Sequence, residues 1–215
     1  MIVPTSEGAF QEAARLLRQG GLIAFPTETY YGLGVDPFNA EALRRLFAVK
    51  RRAADKPVLV LVADQSQVPL LAEEMPEPLR LLMKRYWPGP LTLIFPAKKN
   101  LPKLLTGGTG TVGIRQSPEP TAARLLAAFG GPITATSANR SGKEGAVTAA
   151  EVEMAFGAEI DLILDGGKTP GGAGSTLVGW DGQALRCCRE GRIPFAEIAA
   201  FLAAVNTKEH LFSPA

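Results

Sequence analysis

Short apolar runs that end on proline or glycine alternate along this chain with segments of helical apolar spacing. That alternation limits the chain to an α/β architecture. Ser6 can cap a helix whose Phe10, Ala13, Ala14 and Leu17 share one face, stopped by Gly20 and Gly21. The apolar run 22–25 follows and is stopped by Pro26. Asn39 caps a second helix with Leu43, Leu46 and Phe47 on one face, and 58–62 reads as a strand buried on both sides. The same reading predicts helices over 78–86, 121–129, 149–156 and 195–205. It predicts strands over 91–95, 111–115, 132–135, 162–164, 175–178 and 184–188. The expectation is one mixed sheet with helices on its faces, followed by a loose tail from Asn206 to Ala215.

Composition narrows the chemistry. The chain has 215 residues, 46% of them hydrophobic, enough for one large domain or two small ones at roughly 150 residues each. Its one histidine is His210, so a Ser-His-Asp or Cys-His catalytic set is excluded as a reading. Its two cysteines, Cys187 and Cys188, are adjacent and supply neither a tetrahedral zinc site nor a disulfide framework. They are expected reduced and partly buried, which fits a cytoplasmic chain. No apolar run approaches the ~20 residues of a membrane span, and the first residues lack a signal-peptide pattern, so no membrane partner is expected. Chemistry here must run on hydroxyls, carboxylates, Lys, Arg, backbone amides or a bound ion.

Two motifs fail on context. Gly108, Gly110 and Gly113 match G-x-G-x-x-G as text but open a strand, where a dinucleotide site needs a helix. Gly167-Lys168-Thr169 resembles the end of a phosphate-binding loop, but Leu162 stands where its first glycine is required. Better supported is a cluster of cations at the end of the second helix: Arg44, Arg45, Lys50, Arg51, Arg52 and Lys56, with Asp55 the single acid between Arg44 and Lys56. Such a field draws in anions such as phosphates. Polar loops follow several strands, at 26–34, 50–57, 136–142, 171–176 and 189–191. Loops outside strand ends are where open α/β sheets bind ligands, and hydroxyls with cations and little acid suit a polyanion such as a nucleoside triphosphate.

Order and spacing of these segments carry a resemblance. FPTETYYGLG (25–34), KRR with KP (50–57), RYWPGPLTLIF (85–95), TVGIR (111–115), TSANRSG (136–142), GSTLV (174–178) and REG (189–191) together resemble the YrdC-like family of threonylcarbamoyl-AMP synthases. The likeness runs from about Ile2 to Ala204 and is to the short, single-domain form, a catalytic domain over 1–205. It implies a twisted open α/β domain with a large basic cavity. It also implies a reaction joining L-threonine, bicarbonate or CO2, and ATP into threonylcarbamoyl-AMP with release of pyrophosphate. That reaction serves tRNA threonylcarbamoyl-adenosine modification and implies downstream tRNA threonylcarbamoyl-transferase proteins as partners.

The resemblance also implies roles. Thr27 and Arg115 would bind threonine. Lys50 and Arg52 would be catalytic triphosphate ligands, with Lys56, Thr111, Ser137, Asn139 and Arg189 completing the ATP contacts and Ser175 and Thr176 lining the same cavity. Mg2+ would travel with the ATP phosphates, since no acidic cluster offers it a protein-built site. Leu61 stands where longer relatives carry a histidine, and Lys56 where they often carry Asn. The alternative reading is a double-stranded RNA or tRNA-binding module, against which a net charge of +2 and few aromatics weigh. A carbamoyl-phosphate-using transferase would need zinc-finger cysteines that this sequence lacks.

Overall fold

The computed structural model describes residues 1–212. In chain order its elements are β1 (Ile2–Pro4), α1 (Glu7–Arg18), β2 (Ile23–Pro26), β3 (Tyr31–Gly34), α2 (Ala40–Lys50) and β4 (Val60–Leu61). There follow α3 (Glu77–Tyr86), β5 (Leu91–Pro96), α4 (Lys103–Thr106), β6 (Thr111–Arg115), α5 (Pro120–Phe129), β7 (Ile133–Thr134) and β8 (Thr136–Ser137). The chain ends with α6 (Ala149–Phe156), β9 (Leu162–Asp165), β10 (Thr176–Trp180), β11 (Leu185–Arg189) and α7 (Phe195–Phe212).

The α/β expectation holds, but the single sheet does not. The strands form two mixed sheets, one of order β1-β9-β2-β3-β8 and one of order β11-β10-β5-β6-β4-β7. The division falls at the end of the segment 132–135 that the apolar pattern reads as a strand, and the stretch read as a loop after it begins with a second strand. Residues Ile133 and Thr134 pair antiparallel with β4, whereas Thr136 and Ser137 pair antiparallel with β3. Ala135 lies between them, and its amide donates to the Leu59 carbonyl at 2.8 Å. The chain therefore changes sheets within one residue, which binds the two sheets together there.

Helix starts follow their caps. The side chains of Ser6, Asn39 and Thr148 accept from backbone amides in the first turns of α1, α2 and α6, satisfying donors that have no intrahelical partner. In β2 all four residues are buried because it is covered on both faces. Ile23 and Phe25 pack with Phe10, Leu17 and Leu125 under α1 and α5, while Ala24 joins the larger core with Leu33, Leu43 and Leu46. Close approach of the sheets requires Gly34, where a Cβ would lie 2.7 Å from the Phe25 ring and 2.9 Å from the Thr134 carbonyl.

Two further expectations are corrected. Helix α7 continues to Phe212 rather than yielding to a tail at Asn206. No glycine or proline stands between Pro194 and Pro214 to stop it; Ser213 to Ala215 lie outside the described residues. Cys187 and Cys188 are exposed rather than partly buried, because β11 is an edge strand whose last four residues face solvent. No helix among the described residues is long and apolar enough to cross a membrane.

Candidate functional site

A cavity of about 660 Å³ opens between the two sheets. The five-stranded sheet and its loops supply Thr27, Tyr31, Gly32 and Ser137. The six-stranded sheet supplies Thr92, Thr111, Arg115, Ser175 and Arg189, and the loop after α2 supplies Arg52 and Lys56. Four cations thus line it against two acids, Asp55 and Glu190.

The backbone at the end of α2 separates the basic cluster into two directions. Arg51 caps the helix in the left-handed conformation, with φ 52°. The Arg52 amide returns to the Phe47 carbonyl at 2.9 Å, and the chain reverses toward the cavity. The Arg52 guanidinium is then pinned from one side, donating from Nη2 to the Pro57 carbonyl at 2.7 Å and from Nε to that of Lys56 at 3.2 Å. Its Nη1 has no protein acceptor among the described residues. Burial pushes its pKa down, but a group that starts above about 12 stays charged at neutral pH.

Lys50, before the reversal, does not line the cavity. It is 2% exposed, and its ammonium donates to the carbonyl of Ser137, to that of Asn139 at 2.8 Å and to Asn139 Oδ1 at 3.4 Å. Asn139 is likewise outside the lining; its amide nitrogen donates to the carbonyls of Arg140 and Lys143, and its Oδ1 accepts from the Ser137 hydroxyl. Only Ser137 of this trio reaches the cavity. Lys50 and Asn139, read from the resemblance as ATP contacts, are outside the lining for one reason: their polar atoms hold the 136–142 loop against α2. Desolvation, with the nearby Arg52 charge, lowers the Lys50 pKa to about 7.

The opposite wall is built similarly. Arg189 donates from Nη2 to the Ser175 carbonyl at 2.8 Å and to its hydroxyl at 3.2 Å, leaving Nη1 without a protein acceptor among the described residues. The Ser175 hydroxyl is also 2.8 Å from that of Thr92. Thr176 is fully buried and absent from the lining; its hydroxyl donates to the Ile193 carbonyl at 2.6 Å and accepts from the Gly191 amide, closing the 189–193 turn. Thr111 shares its hydroxyl with Thr109 at 2.8 Å, and Lys56 is exposed at the rim.

Thr27 donates to the Tyr30 carbonyl at 2.7 Å, and its oxygen accepts from the Thr29 amide at 3.3 Å and lies 3.1 Å from the Thr29 hydroxyl, so the side chain is fixed at the cavity wall. Arg115 is 3% exposed and pairs with Glu28, Nη1 to Oε1 at 3.0 Å. Desolvation lowers its pKa, opposed by the Glu28 charge and reinforced by that of Arg189. Glu28 is the partner of Arg115 that the sequence reading misses; nothing in its own neighbourhood signals a partner 87 residues away. The 171–176 loop, read from the sequence as a site loop, does form part of the cavity wall through Gly172, Ala173, Gly174 and Ser175. The carbonyls of Gly171, Gly172 and Ala173 accept from Arg192, Tyr30 and Arg192 respectively. Its turn uses positive φ at Gly171 and Gly172. Among the described residues no group of three or more His, Cys, Asp or Glu side chains could share a metal ion.

Comparison with known proteins places this geometry. The family model Sua5–yciO–yrdC, described as telomere recombination, matches residues 15–191. The chain is 41% identical over 186 residues to the threonylcarbamoyl-AMP synthase of Pyrococcus abyssi, covering 86% of this chain and 55% of that protein. It is 38% identical over 208 residues to that of Bacillus subtilis, covering 96% and 60%. It thus spans little more than half the length of these curated relatives. The structure of P. abyssi Sua5 complexed with L-threonine superposes with a TM-score of 0.88 at 39% identity, over 92% of this chain and 59% of that one. The chain belongs to the Sua5–YciO–YrdC family.

Proposed function

We propose that residues 1–205 form a threonylcarbamoyl-AMP synthase, which activates the carbamate of L-threonine by transfer of AMP from ATP. The observation that carries this reading is the convergence of Arg52, Lys56, Arg115 and Arg189 on one cavity rich in hydroxyls. It is supported by the names of the relatives and by the threonine complex of the P. abyssi protein. In the reaction, the threonine amine adds to CO2 and gives up a proton, or adds to the carbon of bicarbonate with loss of water, to give the carbamate. A carbamate oxygen then attacks the α-phosphorus of ATP, and the bond to pyrophosphate breaks. Such transfers need positioning and charge neutralisation more than covalent help.

Arg115 holds the amino-acid carboxylate, and Thr27 lines the pocket for the same substrate. Arg52, pinned with its Nη1 edge open, and Arg189, pinned on the facing wall, take the phosphates. Lys56 at the rim and the hydroxyls of Thr111, Ser137 and Ser175 complete the nucleotide contacts. Lys50 and Asn139 act through Ser137, whose position they fix. Mg2+ enters as the counter-ion of the ATP phosphates. Mixing the protein with L-threonine, bicarbonate and ATP, and looking for threonylcarbamoyl-AMP by mass, tests the reading. Pyrophosphate release without that product, or no turnover at all, would overturn it. The product passes to tRNA-modifying transferases in this proposal, which makes a cytoplasmic protein the expected one.

A further inference from the structure

Arg115 is a buried cation with most of its hydrogen-bonding capacity unspent. Among the described residues its Nε has no partner and its one ionic contact is Nη1 to Glu28. Glu28 approaches from outside the main cavity. It lines a smaller one of about 320 Å³ with Glu119, Lys168 and Arg192, and is absent from the lining of the larger. Its Oε2 accepts from the Ser117 hydroxyl, two residues beyond Arg115 on the same chain segment, while Oε1 makes no hydrogen bond. The Ser117 hydroxyl in turn accepts from the Glu119 amide at 3.2 Å. Glu28 is thus tied to the segment that carries Arg115, and it grips one end of the guanidinium from behind.

The charges fit the same picture. The Arg189 charge acts on Arg115, and among the described residues Glu28 is the one carboxylate paired with Arg115. Glu28 and its neighbour Glu119 both line the smaller cavity, so on the main-cavity side no carboxylate among the described residues is paired with Arg115 or Arg189, and an incoming carboxylate there meets unopposed positive charge. The Arg115 side chain is packed along its length, so one ionic contact at Nη1 is enough to set which edge of the guanidinium faces the cavity, where a carboxylate is best met by two parallel N–H groups.

We propose that Glu28 is a positioning residue, one that orients Arg115 to receive the carboxylate of the amino-acid substrate without touching that substrate. The proposal rests on the reading of Arg115 given above. Glu28→Gln keeps an acceptor oxygen and loses the charge. It is expected to raise KM for L-threonine about tenfold, to change kcat less than threefold and to leave KM for ATP unaltered. Glu28→Asp keeps the charge on a shorter arm and is expected to recover part of the loss. Equal rises in both KM values, or an unchanged KM for threonine, would overturn the proposal.

A second measurement needs no substrate. The Nε–H of Arg115, shielded from water, gives an NMR signal assigned by its disappearance in Arg115→Lys. In Glu28→Gln that signal is expected to shift and to exchange faster with solvent. A signal unmoved by Glu28→Gln would sink the proposal even if the protein has no synthase activity, and a shifted one would uphold it. Failure of the mass assay with wild-type protein would instead count against the function alone. Circular dichroism of each variant separates loss of fold from loss of orientation.

Discussion

Lys50 and Arg52, two positions apart, make opposite predictions because one is sealed and the other open. Arg52→Ala removes the guanidinium edge left open to the cavity and two hydrogen bonds to carbonyls that water can replace. We expect kcat/KM to fall about 100-fold, equivalent to about 2.7 kcal/mol, with a small change in Tm; full activity would release Arg52 from the site. Lys50→Ala instead strands the carbonyls of Ser137 and Asn139, and is expected to cost about 2–4 kcal/mol of stability. Lys50 also gives the fold a pH dependence. Its folded pKa of about 7 lies below the unfolded value of about 10.4, so between these limits the unfolded chain binds the extra proton. Burial therefore penalises the fold fully below pH 7, and the penalty fades as pH rises toward 10. Denaturant unfolding of wild type and Lys50→Met should diverge over that window, wild type gaining at most about 1.4 kcal/mol per pH unit. Parallel curves would show Lys50 to be charged throughout. The sequence exposed the cationic cluster here but not its division, because a left-handed cap on a non-glycine residue, Arg51, carries no composition signal.

Elements whose ends are local were legible, and those defined by distant partners were not. The caps Ser6, Asn39 and Thr148 and the stops at Gly20 and Gly130 act within a turn of their own helices, so α1, α2, α5 and α6 are close to where periodicity puts them. Strand β3, the segment Tyr31–Gly34, reads as a glycine-containing loop, and becomes a strand only because β2 and β8 flank it. The edge position of β11 is likewise a property of the sheet order. It leads to an expectation about its thiols. Replacing Cys187 and Cys188 by Ser should leave turnover per folded molecule intact and shift stability by less than about 0.5 kcal/mol, as surface changes do. A well-folded double variant without activity would give β11 a part that its exposure does not suggest. The adjoining turn is less forgiving, since a Cβ at Gly191 would lie 2.3 Å from the Gly174 carbonyl.

At the scale of the whole molecule, the cavity walls come from both sheets, so a ligand spanning them stabilises their union. ATP at 100 times its Kd adds about 2.7 kcal/mol to stability, which for a chain of this size raises Tm by roughly 5–10 °C. We expect that shift in wild type and its near loss in Arg52→Ala; equal shifts in both, followed by scanning calorimetry, would place ATP elsewhere. The candidate site was legible as a set of loops following strands, with Thr27, Arg52, Thr111, Arg115, Ser137, Ser175 and Arg189 meeting in one cavity. The pairing that sets Arg115, and the seam between the sheets, were not, since both join segments far apart in sequence. That seam has a kinematic consequence. With Ala135 alone between a strand of one sheet and a strand of the other, the joint has no slack. One glycine inserted after Ala135 would add about 3.3 Å of travel and turn Ser137 to the opposite face of its sheet. Such a chain should keep both sheets and lose activity, because what position 135 specifies is a length.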